Sequence, residues 1–161
     1  MYINFVNYIG NKDQYTLKVL LYQNLEYFYN NNEGTLIFLI NDKVQYKYSA
    51  KHFLNYLCTL NLTSIKAYNK AINDLFSYKY KNPVVLGNTS IILSGNSNNL
   101  ETIYFNFENV IKIKESNENE SIITFKSGRT IKINKNNTFI NNQIIKIEKL
   151  KRYLKWNFYN E

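Results

Sequence analysis

The sequence predicts an α+β protein: a single domain of mostly antiparallel β hairpins and meander, with a central helical pair and a C-terminal helix. The basis is threefold. Runs of β-branched and aromatic residues, broken by short polar turns, fill both ends of the chain. Apolar spacing switches to a helical period between residues 50 and 77 and again after residue 138. The length of 161 residues, 45% of them hydrophobic, suits one domain with a real core and leaves little room for two domains.

The elements follow in order, with residues 1–161 read as one domain. Residues 1–49 read as N-terminal strands: Tyr2 to Tyr8 alternates loosely, and Leu17 to Tyr22 and Leu25 to Tyr29 are rich in β-formers. Thr35 to Ile40 and Val44 to Tyr48 bracket Asn41-Asp42-Lys43, a tight-turn composition, so a hairpin is expected there. In residues 50–77, Phe53, Leu54, Leu57 and Leu60 fall at helical spacing. After Thr63 or Ser64 as N-cap, Ile65, Tyr68, Ala71, Ile72, Leu75 and Phe76 share one face of a second helix. This pair reads as a packing unit rather than a helix-turn-helix reader, because its second helix offers only Lys66, Asn69, Lys70 and Asn73 outward, without arginine.

Pro83 ends the helical section, and residues 83–134 read as a β-meander with turns at Gly87-Asn88, Glu115 to Glu120 and Ser127-Gly128. Residues 138–156 form the C-terminal helix. Ile140, Ile144, Ile147, Leu150 and Leu154 make its apolar stripe, and Thr138 is its expected cap. A strand through Gln143 to Glu148 competes for that segment, and length favours the helix.

Lys plus Arg outnumber Asp plus Glu by 20 to 12, a formal charge of +8 that favours polyanionic partners, nucleic acid first. Composition tempers this. Asn, Ile, Lys, Tyr and Phe together make 90 of the 161 residues, and all are encoded by A+T-rich codons, so the location of the charge matters more than its sum. The location is uneven. From Ile122 onward Lys126, Arg129, Lys132, Lys135, Lys146, Lys149, Lys151, Arg152 and Lys155 face only Glu148 and Glu161, whereas the preceding meander is locally acidic.

On the last helix the stripe leaves Lys146, Lys149, Tyr153 and Trp156 outward, flanked by Arg152 and Lys155, a surface suited to phosphates with an aromatic platform beside them. An ordinary solvated helix face is the equal alternative. Lys126-Ser127-Gly128-Arg129 is a hairpin tip able to enter a narrow groove of A·T tracts, and charged tips also serve solubility. The candidate DNA-binding residues are therefore Lys126, Arg129, Lys132, Lys146, Lys149, Lys151, Arg152 and Lys155.

Catalytic patterns are absent from the sequence. His52 is the only histidine, Asp occurs three times, and there is no Gly-rich phosphate loop, paired-Asp motif or nucleophile elbow, so the reading is non-enzymatic, with no metal, cofactor or small-molecule substrate evident. His52 reads as a surface or boundary residue and Cys58 as a buried small hydrophobe. One cysteine, no secretory leader and no run of ~18 apolar residues point to a cytoplasmic protein without a membrane partner.

From Ser64 through the last helix the chain resembles the ComK family, the competence transcription factors of low-GC Gram-positive bacteria. Three blocks carry the likeness. Ser64, Ala71, Leu75, Lys79, Lys81, Pro83 and Val84 match a helix leading into Lys-x-Lys-x-Pro-[Ile/Val]. Ile103-Tyr104-Phe105-Asn106-Phe107 matches an aromatic strand. Thr124-Phe125-Lys126-Ser127-Gly128-Arg129-Thr130 matches the hairpin, followed by Thr138-Phe139 and Gln143. The chain departs from the pattern at Ala67-Tyr68, which stand where the family has Gly-Arg, at Ser94-Gly95-Asn96, at Tyr104 in place of tryptophan, and by one extra residue before Gln143.

The resemblance implies a DNA-binding transcription activator that contacts A+T-rich promoter boxes largely through the minor groove and acts as a homo-oligomer, with Lys126 and Arg129 as contacts and the basic helix in support. Double-stranded A+T-rich DNA is thus the expected partner. The alternatives are a small interaction or assembly protein borne by a phage or mobile element, and an RNA-binding module whose tyrosines stack on unpaired bases. The DNA reading requires the cations of the hairpin and the helix to form one ridge.

Overall fold

The computed structural model describes residues 2–159, with side chains through Lys155. Trp156, expected on the outward side of the last helix, therefore lies outside the described side chains. The N-terminal region departs from the expected strands. Before Leu25, among the described residues, only Ile3–Asn4 (β1) is a strand; Phe5–Ile9 (α1) and Gln14–Asn24 (α2) are helical. The physical reason is local and tertiary at once. Asp13 caps α2 by accepting from Thr16 N at 2.7 Å, and Leu17 and Leu21, one turn apart, are both fully buried. That burial outweighs the β preference of the surrounding residues. Phe5 is buried edge-on against Tyr46, Phe53 and Tyr56.

The strands Leu25–Asn31 (β2), Gly34–Leu39 (β3) and Lys43–Tyr46 (β4) follow. The expected hairpin is present, with Phe38 opposite Lys43 and Leu39 N donating to Asp42 O. The helical pair is also as expected, as Ala50–Leu60 (α3) and Ile65–Phe76 (α4), the second capped by Ser64. The C-terminal strands pair antiparallel but are divided between two sheets. Val84–Leu86 (β5), Thr89–Leu93 (β6) and Ile103–Asn106 (β7) join a seven-stranded sheet of order β1-β4-β3-β2-β7-β6-β5. Val110–Asn117 (β8), Glu120–Phe125 (β9) and Thr130–Ile133 (β10) form a second, three-stranded sheet. A 3-10 turn, Phe107–Asn109, carries the chain between them. Asn106 and Asn109 fix it by both donating through Nδ2 to Leu25 O, at 3.0 and 2.6 Å.

The large sheet separates two cores, because successive residues of a strand face opposite sides. Phe28, Ile37, Val44, Ile91 and Tyr104 face α1, α2 and α3. Tyr27, Phe38, Val85, Ile92 and Phe105 face the small sheet and the last helix. That helix, Asn137–Tyr159 (α5), prevails over the competing strand. Its cap is Asn136, whose Oδ1 accepts from Phe139 N, rather than Thr138, which lies inside the first turn. Ile140, Ile147 and Leu150 are buried, but Leu154 is 46% exposed, so the end of the stripe has run past the core.

Candidate nucleic-acid interface

The hairpin tip between β9 and β10 is shaped by Gly128, whose φ of 90° is a conformation that side-chain-bearing residues rarely adopt. Its Arg129 is not free. In β2, Leu25 pairs with Leu39 and Tyr27 with Phe38, which leaves Glu26 as the extra residue of a β-bulge. A bulge re-aims a side chain, and here it turns a fully buried carboxylate toward the tip. Glu26 accepts from Ser127 N at 2.8 Å, from Ser127 Oγ, and from Arg129 Nη1 at 3.1 Å. The guanidinium also donates to Leu39 O and lies 5.4 Å over the Phe38 ring. Burial pushes the Tyr27 phenol in this cluster up to about 12, against the opposing pull of Arg129. Lys126, by contrast, is exposed, and only its backbone N–H is engaged, by Asn109 O.

The remaining candidates divide in the same way. Lys132 pairs with Glu120 at 2.9 Å, and that hydrogen bond holds the Glu120 carboxyl below the usual carboxylate range. Lys151 pairs with Glu108, which also accepts from Ser90 Oγ at 2.8 Å. Lys146 spans to Tyr80 O, Lys81 O and the Asn82 side chain, over the Tyr78 ring at 4.8 Å. Burial and the nearby Lys81 charge both lower its pKa. Lys149, Arg152 and Lys155 are exposed, and among the described residues none of them forms an ion pair. Lys149 and Arg152 flank a shallow cleft of about 310 Å³ with Phe76 and Tyr153. There Tyr153 stands edge-on to Phe76 at 5.4 Å and is 40% exposed.

One short turn relates the two basic elements. Glu108 takes Lys151 of α5, and its neighbour Asn109 takes the backbone of Lys126 at the tip. Hairpin and helix are thus moored to adjacent residues of the turn Phe107–Asn109. The exposed cations of this region without an ion pair among the described residues are Lys126, Lys149, Arg152 and Lys155; Arg129, Lys132, Lys146 and Lys151 are engaged within the protein.

Other chemistry is sparse. The ring of His52 shares a 2.6 Å hydrogen bond between Nδ1 and Tyr46 OH. Cys58 is buried, and burial pushes its thiol up to about 11, far from a reactive thiolate. Among the described residues no group of three His, Cys, Asp or Glu side chains could hold a metal ion, and no helix is long and apolar enough to cross a membrane.

Sequence reasoning did not find the roles of Glu26, Glu108 and Phe76. Glu26 alone left a trace, as one carboxylate inside the otherwise uncharged run Leu25 to Tyr29. The family model described as ComK protein matches residues 14–157. No curated protein and no solved structure matches the chain.

Proposed function

The chain belongs to the ComK family, a family of competence transcription factors, and on that premise we propose that it binds A+T-rich duplex DNA through the C-terminal part of α5 and the β9–β10 tip. The observation that carries this reading is the division of the cations. Lys149, Arg152 and Lys155 stand exposed, without carboxylate partners among the described residues, beside the half-exposed Tyr153, while neighbouring lysines are spent on internal contacts. Unneutralised cations next to a phosphate backbone release condensed counterions, which is the main source of affinity for duplex DNA.

In this mechanism α5 supplies the phosphate contacts. Lys126 enters the minor groove, whose negative potential deepens where A·T tracts narrow it. Arg129 fixes the place of the tip through Glu26, which offsets its charge. Lys132, Lys146 and Lys151 hold the frame, and of these Lys146, without an ion pair among the described residues, also raises the local potential. Several copies acting together on one promoter complete the reading.

The test is a titration of duplex DNA at a series of salt concentrations. Each phosphate contact contributes about −0.9 to the slope of log K against log salt, so Lys149→Gln with Arg152→Gln should flatten it by roughly 2. Lys126→Ala should instead reduce the preference for A·T over G·C duplex. An unchanged slope in the first variant refutes the helix as the phosphate contact, and an unchanged preference in the second refutes the tip as the reader. The stoichiometry of the same titration reports how many copies bind.

A further inference from the structure

A cavity of about 510 Å³ opens between α3, α4, the segment after α4 and the entrance to α5. None of the eight candidate DNA-binding residues lines it. Its volume lies in the range of small-molecule sites. Leu54, Ile65, Val84 and Leu93 give it apolar walls, with Phe139 beside them. Four lysines, Lys51, Lys79, Lys81 and Lys135, also line it, and its sixteen lining residues include no Asp or Glu. None of the four forms an ion pair among the described residues. Lys51 reaches only the neutral Asn98 side chain, and Lys135 lies 5.2 Å over the Phe139 ring.

Like charges gathered around an apolar concavity focus a positive field into it, and an anion relieves their repulsion. The wall that bears two of them is built in place. Lys81 holds a left-handed φ of 53°, its carbonyl accepts from the buried Gln143 Nε2 at 2.6 Å, and Pro83 O accepts from Tyr68 OH at 2.8 Å. Lys79 and Lys81 belong to the Lys-x-Lys-x-Pro segment, which the DNA reading leaves without a role.

We infer that this cavity binds a nucleoside phosphate, its phosphates taken by Lys51, Lys79, Lys81 and Lys135 and its flat ring by the apolar walls. The amide side chains of Asn69 and Asn96 and the Ser97 hydroxyl supply the hydrogen-bonding groups that a base edge requires. The site is a small-molecule site and shares no lining residue with the duplex-binding surface.

The experiment is calorimetric titration of the full chain with ATP and GTP, with the uncharged nucleosides and inorganic triphosphate as partial ligands. Saturable binding with a dissociation constant below about 1 mM is expected for at least one nucleotide, with each partial ligand weaker by about tenfold or more. Lys79→Gln with Lys81→Asn, asparagine being tolerant of the left-handed backbone, should weaken the nucleotide by about tenfold or more. Lys149→Gln with Arg152→Gln should leave it unchanged. If circular dichroism shows the first pair misfolded, Lys51→Gln with Lys135→Gln removes charge from the other walls.

Absence of saturable binding overturns the inference, as does undiminished binding in the cavity variants. Triphosphate binding as tightly as the nucleotide would leave only a lysine cluster and overturn it too. Displacement of the nucleotide by a short duplex, with the cavity variants losing duplex affinity as fully as the α5 variants, would assign these lysines to DNA and overturn the small-molecule site while leaving the duplex reading intact.

Discussion

Replacing Glu26 by Gln keeps the shape of the bulged side chain, removes its charge and turns one of its two accepting oxygens into an amide group that can only donate. Two of its hydrogen bonds come from Ser127 and one from Arg129, and the glutamate side chain has no exposed area. Bonds to a charged acceptor are worth about 1.5–3 kcal/mol against about 1 kcal/mol for neutral ones, so the two Ser127 bonds together lose about 1–4 kcal/mol. Arg129, with a quarter of its side chain exposed, keeps Leu39 O and some water, which limits its share to about 1 kcal/mol. The expected loss is thus about 2–5 kcal/mol. Arg129→Met should cost about 3 kcal/mol, since it leaves a wholly buried carboxylate facing only Ser127. The double variant should cost less than the sum by about 1–2 kcal/mol, as expected of groups in one network. Urea unfolding followed by far-ultraviolet circular dichroism measures all three. Two single variants each within about 0.5 kcal/mol of the parent, with additive effects, would refute the view that the tip is anchored through this pair.

Lys132→Ala should return the Glu120 carboxyl toward its ordinary titration range, read by carbon NMR of that side chain. Because the folded pKa is depressed, the pair's stabilisation is present above the unfolded carboxyl pKa and disappears as pH falls through the folded one, so the variant and parent should converge in acid. Cys58, its thiol pushed up to about 11, should react with an aromatic disulfide at pH 8 only as fast as the protein opens, and at once in denaturant. Rapid reaction of the native protein would contradict its burial. Gly34→Ala should destabilise by about 3 kcal/mol or more, since φ is 130° and the added Cβ would lie 2.3 Å from Tyr46 O; thermal unfolding reports it.

What the sequence made legible was local. Asn41-Asp42-Lys43 specified its hairpin by turn chemistry alone, and the four-and-three spacing of Phe53, Leu57 and Leu60, and of Ile140, Ile144 and Ile147, specified helices without reference to anything distant. Helix α2 was obscured because only Leu17 and Leu21 mark its buried side, while Val19, Tyr15 and Tyr22 carry β preference. The division of the C-terminal strands into two sheets depends on Asn106 and Asn109 reaching Leu25 O, more than eighty residues away. The candidate site shows the same limit. Counting charge from residue 122 onward finds the excess correctly, yet the carboxylates that absorb part of it, Glu26, Glu108 and Glu120, lie outside the counted stretch. Charge density along a chain is readable from sequence; which charges remain unspent after folding is a property of pairing across it.

The bulge at Glu26 also sets an order of events. Its partners Ser127 and Arg129 leave the ribosome about a hundred residues later, so the buried carboxylate waits unpaired until the tip has emerged. A fragment starting at Ser64 would carry every block of the family likeness and still lack the anchor. The first third of the chain is thereby an assembly jig for the last, and shortening the protein from its N-terminus would leave the tip without its mooring before any of its own residues had been altered.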